Sequence, residues 1–138
     1  MPVIRPGETG DLEAVAAIQS ASPEAAHWPV AEYMQYQFLV WTQDGVVGGF
    51  LVWHPLAAGE CEVLNLVVAP EFRRRGVARQ LLEPLLTEKQ NSIFLEVRES
   101  NQAARIFYKS MGLQEVSRRR EYYENPGEAA IVMKFHSC

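Results

Sequence analysis

A chain of 138 residues with 48% apolar content is sized for one globular domain, taken here as 1–138, with material for a real core. Its net charge of −4 argues against broad nucleic-acid binding, which needs a basic footprint. No apolar run approaches the ~20 residues of a membrane span, so neither nucleic acid nor membrane is an expected partner.

Met1-Pro2-Val3-Ile4-Arg5 has neither the charged start nor the apolar stretch of a signal peptide, so a cytoplasmic location is expected. Cys61 and Cys138 have no His or Cys at metal-ligand spacing. No metal is expected, and reduced thiols are the simple reading.

Val3 to Arg5 predicts a short first strand, ended by Pro6-Gly7. Thr9 or Asp11 is placed to cap a helix reaching about Ser20. Ser22-Pro23 breaks it, and Pro29 fits the first turn of a second, short helix through Tyr36. Trp28, beside that proline, suits either core packing or a substrate mouth. Phe38–Thr42 and Val46–His54 read as a hairpin joined by Asp44-Gly45, with Gly48-Gly49 marking a bulge or a close backbone approach.

The central stretch runs from Val63 to Leu82. It opens as an apolar, β-branched strand (Cys61 to Ala69) and closes with Val77, Leu81, Leu82 and Leu85 at helical spacing. Between them lies Arg73-Arg74-Arg75-Gly76-Val77-Ala78. The first amides of a helix lack intrahelical partners and carry the positive end of its dipole. Gly76 and Ala78 leave room for a phosphate to reach that backbone. A plain turn with solvated arginines fits the local pattern equally. Pro84 predicts a kink or an early end to this helix. Ser92–Val97 reads as a strand, Ser100 or Asn101 as the cap of a helix through Met111, and Gly112 as its C-terminal stop. Val116–Tyr123 and Ala129–Phe135 form a closing antiparallel pair around Asn125-Pro126-Gly127. The order β-α-α-β-β-β-α-β-α-β-β defines a mixed α/β fold with a largely antiparallel sheet and about four flanking helices.

Arg73-x-x-Gly76-x-Ala78 after Val67-Val68-Ala69-Pro70 resembles the acetyl-CoA motif of the GCN5-related N-acetyltransferases. That resemblance implies a GNAT-like fold over nearly the whole chain and acetyl-CoA as co-substrate. It implies cofactor contacts at Leu66, Val67 and Val68, then Arg74, Arg75, Gly76, Val77, Ala78 and Arg79.

Acetyl transfer to an amine needs a base for the amine, a donor for the oxyanion and an acid for the thiolate, whose parent pKa is about 8.5. By residue type alone, Glu96 is a candidate base or a solvated strand carboxylate, and Tyr108 a candidate acid or a core aromatic. Leu95-Glu96-Val97-Arg98-x-Ser100-Asn101-x-x-Ala104-x-x-x-Tyr108-x-x-x-Gly112-Leu113 is similar to the ribosomal-protein-alanine N-acetyltransferases of that family, the RimI type. Arg119-Arg120-x-Tyr122-Tyr123 and Glu128-x-Ala130-x-x-Met133 extend the similarity.

The group implies Glu96 as general base, Tyr108 as general acid, Asn101 as a cofactor contact, and transfer to the N-terminal alanine of a small-subunit ribosomal protein. Glu62 on the central strand is an alternative base. The group's usual Glu-Asp-Ala is Glu128-Ala129-Ala130 here. Trp28, Tyr122 and Tyr123 are the expected substrate mouth. Small amines or lysine side chains are alternative acceptors, and a non-catalytic acyl-CoA-binding module is an alternative role.

Overall fold

The computed structural model describes residues 1–56, 59–87, 92–124 and 127–136; the side chains of 121–127 and 136 also fall outside the described set. Among the described residues there are seven strands, β1 (Pro2–Pro6), β2 (Gln37–Gln43), β3 (Val46–Pro55), β4 (Glu60–Val68), β5 (Ser92–Arg98), β6 (Gln114–Glu124) and β7 (Gly127–His136). The α-helices are α1 (Leu12–Ser20), α2 (Val77–Thr87) and α3 (Gln102–Ser110). The strands form one sheet in the order β1-β2-β3-β4-β5-β7-β6. Among the described residues only β4 and β5 are parallel, and they pair over just three rungs, ending at Glu62↔Phe94. Beyond that rung the two strands are unpaired, which leaves a wedge in mid-sheet.

Each face of the sheet carries its own core. Leu81, Leu82 and Leu85 of α2 and Tyr108 of α3 pack with Cys61, Val63, Ile93, Leu95 and Val97 on one face. Val15 and Ile18 of α1 pack with Tyr33, Phe38, Phe50 and Val67 on the other. A fully buried side chain such as Phe50 contributes about 1.5–3 kcal/mol by leaving water.

Local chemistry explains most element ends. Asp44 (φ 52°) and Gly45 (φ 79°) both adopt left-handed conformations, as a two-residue hairpin turn requires. Trp41 pairs with Gly49 and Thr42 with Val47, so Gly48 is the extra residue of a bulge. A Cβ on Gly48 would lie 2.8 Å from the Trp41 ring and 2.9 Å from that of Phe72, which is why a side chain is absent there.

Three expectations change. Asp11 does not cap α1 through its side chain; it accepts from the Glu8 amide at 2.8 Å and pairs with Arg5, inside a 3-10 turn (Thr9–Asp11) that precedes the helix. The second helix is a 3-10 segment, Val30–Gln35, with Pro29 just before it. Threefold periodicity aligns Val30, Tyr33 and Tyr36, all of which pack into the α1-side core. Finally, α2 continues past Pro84 to Thr87, because Leu85 and Leu86 remain buried in the core. The Asn125-Pro126 part of the last turn and Cys138 lie outside the described residues.

Candidate active site

A second bulge shapes the wedge. Val52 pairs with Asn65 and Trp53 with Val63, so Leu64 is the extra residue of β4. Bulging by one residue exchanges the faces of all that follows. Cys61 and Val63 pack on the α2–α3 side, while Asn65 and Val67 turn toward α1 and Leu66 and Val68 turn toward α2 and α3.

Asn65 uses that new direction. Its Nδ2 donates to the Ala26 carbonyl (2.8 Å), to the Tyr33 hydroxyl (3.1 Å) and to Gln19 Oε1 (3.2 Å). The Tyr33 hydroxyl in turn donates to Gln19 Oε1, and Gln19 Nε2 to the Trp28 carbonyl at 2.8 Å. Burial pushes the Tyr33 phenol up to about 12, so it stays a donor. This network ties the Ser22–Pro29 connection onto the central strand. Glu24, Ala25 and Ala26 thereby wall a cavity of about 70 Å³ in the wedge.

Glu96, Tyr108 and Asn101 border the same cavity. Tyr108 arrives from α3 and is 8% exposed. Glu96 arrives from mid-β5, with Oε1 2.6 Å from Arg119 Nη1. Asn101 caps α3, accepting from the Ala104 amide at 3.1 Å. Glu62 is placed differently: it sits on the last paired rung, 3.3 Å from His54 Nε2, and does not border the cavity. Trp28 is 41% exposed and presents only its carbonyl to the network. The side chains of Tyr122 and Tyr123 lie outside the described residues.

From this cavity a groove runs between β4 and α3 to the start of α2. It comprises lobes of about 480 and 510 Å³ and is lined in part by Leu66, Val68, Arg73, Gly76 and Ala103. At the α2 end, Arg74 (φ 64°) and Gly76 (φ 77°) are both left-handed. The turn they make directs the chain into α2, whose first helical bond runs from the Gln80 amide to the Gly76 carbonyl at 3.0 Å. The amides of Val77, Ala78 and Arg79 precede that bond and have no intrahelical acceptor. Arg74 and Arg79 border the same lobe. An anionic pyrophosphate fits this end by charge and by geometry.

Arg75 instead lies over the Phe72 ring, 5.4 Å from its centre. Arg73 takes the inner place: its Nη2 donates to Ser22 Oγ (3.0 Å) and its Nε to the Val68 carbonyl (3.3 Å).

The strand's free edge follows from its register. The Ala69 amide donates to Gly48 of β3 at 2.8 Å. Antiparallel strands alternate, so the Val67 amide also faces β3 and the Val68 amide faces the groove. The Leu66 amide, on the same side as that of Val68, is already taken by Asn65 Oδ1 at 3.1 Å. Val68 therefore offers the open donor.

Residues 11–113 match the family model described as the acetyltransferase (GNAT) family. The chain belongs to the GNAT family. It is 36% identical over 107 residues to the [ribosomal protein bS18]-alanine N-acetyltransferase of Escherichia coli (strain K12), covering 73% of this chain and 70% of that one. The crystal structure of the ribosomal-protein-S18-alanine N-acetyltransferase from Escherichia coli superposes with a TM-score of 0.84 at 31% identity, covering 99% of this chain and 94% of the other. Ard1 from Thermoplasma volcanium gives a TM-score of 0.87 at 29% identity, over 99% and 98% of the two chains.

The expected RimI-type GNAT fold and N-acetyltransferase activity both hold. Family membership brings acetyl-CoA as donor, and the groove, its basic end and its free helical amides suit that molecule. Among the described residues no helix is long and apolar enough to cross a membrane, and no metal-binding cluster is present.

Sequence reasoning omitted several residues that border the site. Arg73 was visible as the first position of the loop motif. The Glu24–Ala26 wall carried no local signal, and Arg119 was visible within the Arg119-Arg120-x-Tyr122-Tyr123 stretch but its contact with Glu96 was not, because both depend on distant strands.

Proposed function

We propose that this enzyme, working as one domain over 1–138 in the cytoplasm, acetylates a protein N-terminus, most specifically the N-terminal alanine of a small-subunit ribosomal protein. The observation that carries the reading is the wedge cavity bordered by Glu96 and Tyr108, in a chain 36% identical to a bS18-alanine N-acetyltransferase.

Acetyl-CoA supplies the activated acyl carbon. The Val77–Arg79 amides, with Arg74 and Arg79, hold its pyrophosphate. Leu66 and Val68 line the path of its arm, and Asn101 keeps the start of α3 beside it. Glu96 removes a proton from the acceptor ammonium, directly or through one water. An α-ammonium suits this weak base because its reference pKa lies near 8, against about 10.4 for lysine. The Val68 amide is the hydrogen-bond donor for the thioester oxygen. The new N–C bond forms as the C–S bond breaks, and the Tyr108 hydroxyl gives its proton to the departing thiolate; the second proton of the attacking nitrogen returns through water to the Tyr108 phenolate, and Glu96 releases the one it took to solvent. Products are the acetylated terminus and CoA.

The test is acetyl transfer from acetyl-CoA to peptides that differ only at residue one, beside an N-blocked peptide containing lysine. Transfer to the free alanine terminus alone is expected. Transfer to the blocked lysine peptide, or to polyamines in preference to either, would reassign the acceptor. Acetyl-CoA binding with no turnover on any amine would reassign the protein as a binding module.

A further inference from the structure

We propose that Arg119 is a positioning residue that holds the Glu96 carboxylate with one oxygen fixed and the other left without a partner, as the proton acceptor; this rests on Glu96 being the base. Arg119 Nη1 grips Oε1 at 2.6 Å. The Glu96 side chain is only 11% exposed, and its Oε2 is buried with no hydrogen-bond partner among the described residues. Buried carboxylate oxygens are nearly always satisfied, so an exception beside a cavity calls for an explanation, and a proton-accepting role supplies one. Oε2 is the lone-pair site left to accept a proton.

Three features of the sheet bring this contact about. Arg119 stands on β6, two strands from β5, with β7 between them. Glu115 pairs with Met133 and Ser117 with Val132, so Val116 is an extra residue in β6. Without that bulge Arg119 would share a face with Glu115, which is bound to Arg105 of α3. With it, Arg119 shares a face with Val132, the rung partner of Glu96. The residue opposite Arg119 on β7 is Ala130, fully buried, whose methyl group leaves the guanidinium a path across the strand.

A simple cross-strand brace is the competing explanation, and the neighbouring residue provides its control. Arg118 points to the opposite face and holds Glu99 with two bonds of 2.7 and 2.9 Å. That pair is similarly exposed on the arginine side, 48% against 54% for Arg119, and Glu99 does not border the cavity. Exposed pairs of this kind contribute little stability. If Arg119 were only a brace, losing it would resemble losing Arg118.

The experiment compares Arg119→Ala, Arg119→Lys, Arg118→Ala and Glu96→Gln, and the double variant of Glu96→Gln with Arg119→Ala. Turnover is measured with acetyl-CoA and an alanine-terminated peptide, and folding is checked by thermal melting. Displacing the base by about 1 Å costs on the order of 10²-fold, so Arg119→Ala is expected to lower kcat by about 10- to 100-fold with an unchanged KM for acetyl-CoA. Arg119→Lys should recover part of the loss, and Arg118→Ala should stay within about twofold of wild type. Adding Arg119→Ala to Glu96→Gln should lower the rate no further, since the two act as one unit.

Matching rates for the Arg119→Ala and Arg118→Ala variants would overturn the proposal. So would losses that multiply in the double variant, which would mean that Arg119 acts independently of Glu96. Wild-type turnover in Glu96→Gln would instead remove the base assignment itself.

Discussion

Replacing Asn65 with alanine should loosen the wall of the active-site cavity without touching any proposed reacting group. The Asn65 amide has two protons to share among the Ala26 carbonyl, the Tyr33 hydroxyl and Gln19 Oε1, at 2.8, 3.1 and 3.2 Å. Its Oδ1 accepts from the Leu66 amide at 3.1 Å. Alanine therefore strips partners from two backbone groups, the Ala26 carbonyl and the Leu66 amide. It also leaves a void at a position only 6% exposed. Each lost partner costs about 1 kcal/mol where water can reach part of the site, so the total is about 2–3 kcal/mol.

With an unfolding entropy of about 2.1 cal/mol/K per residue, a 138-residue chain loses about 7–10 °C of Tm. Differential scanning calorimetry measures this directly. Because Ala26 borders the cavity, the acceptor KM should rise as well. A fall in Tm of less than about 2 °C with an unchanged acceptor KM would show that something other than this network holds the loop.

Further predictions concern the site and its supports. Tyr108→Phe should lower kcat about 100-fold, within the range for a general acid, while acetyl-CoA binding by calorimetry stays intact; wild-type turnover would remove the acid role. Gly76→Ala places a Cβ on a residue at φ 77°, with Gln80 Nε2 at 3.8 Å as its nearest neighbour. Strain rather than a clash should therefore destabilise the loop by about 1–2 kcal/mol and raise the KM for acetyl-CoA; an unchanged KM would refute the anion role of the turn.

Stability should also fall on acidification. Arg5, Arg118 and Arg105 hold Asp11, Glu99 and Glu115 below the usual carboxylate range. Their folded values are depressed, so their contribution is complete above the unfolded range near pH 4 and disappears as the pH drops through the folded values. Asp11→Asn should flatten that part of the Tm–pH curve, and an unchanged curve would contradict the assignment.

What the sequence determined by itself is what short-range chemistry controls. Strand and helix order followed from apolar periodicity, and the hairpin from Asp44-Gly45. Asn101 caps α3 as its amide chemistry requires, with Gly112 at φ 101° after its end. The Arg73–Ala78 turn was legible because glycine and free helical amides act within a few residues. The α1 entry and the 3-10 segment were misread because a distant partner decided each: Arg5 for Asp11, and the α1-side core for Tyr33.

Only the tertiary structure decided which carboxylate meets the cavity. Glu62 and Glu96 look alike in sequence, each alternating with apolar neighbours. The loss of β4–β5 pairing after Glu62↔Phe94 leaves the first on a closed rung beside His54 and the second in the wedge. The bulges at Leu64 and Val116 are equally silent in sequence, since buried residues keep alternating through the first while the face they pack on changes. One inserted residue reverses every later side chain, and its position is set by pairing across strands rather than by the residues of one strand.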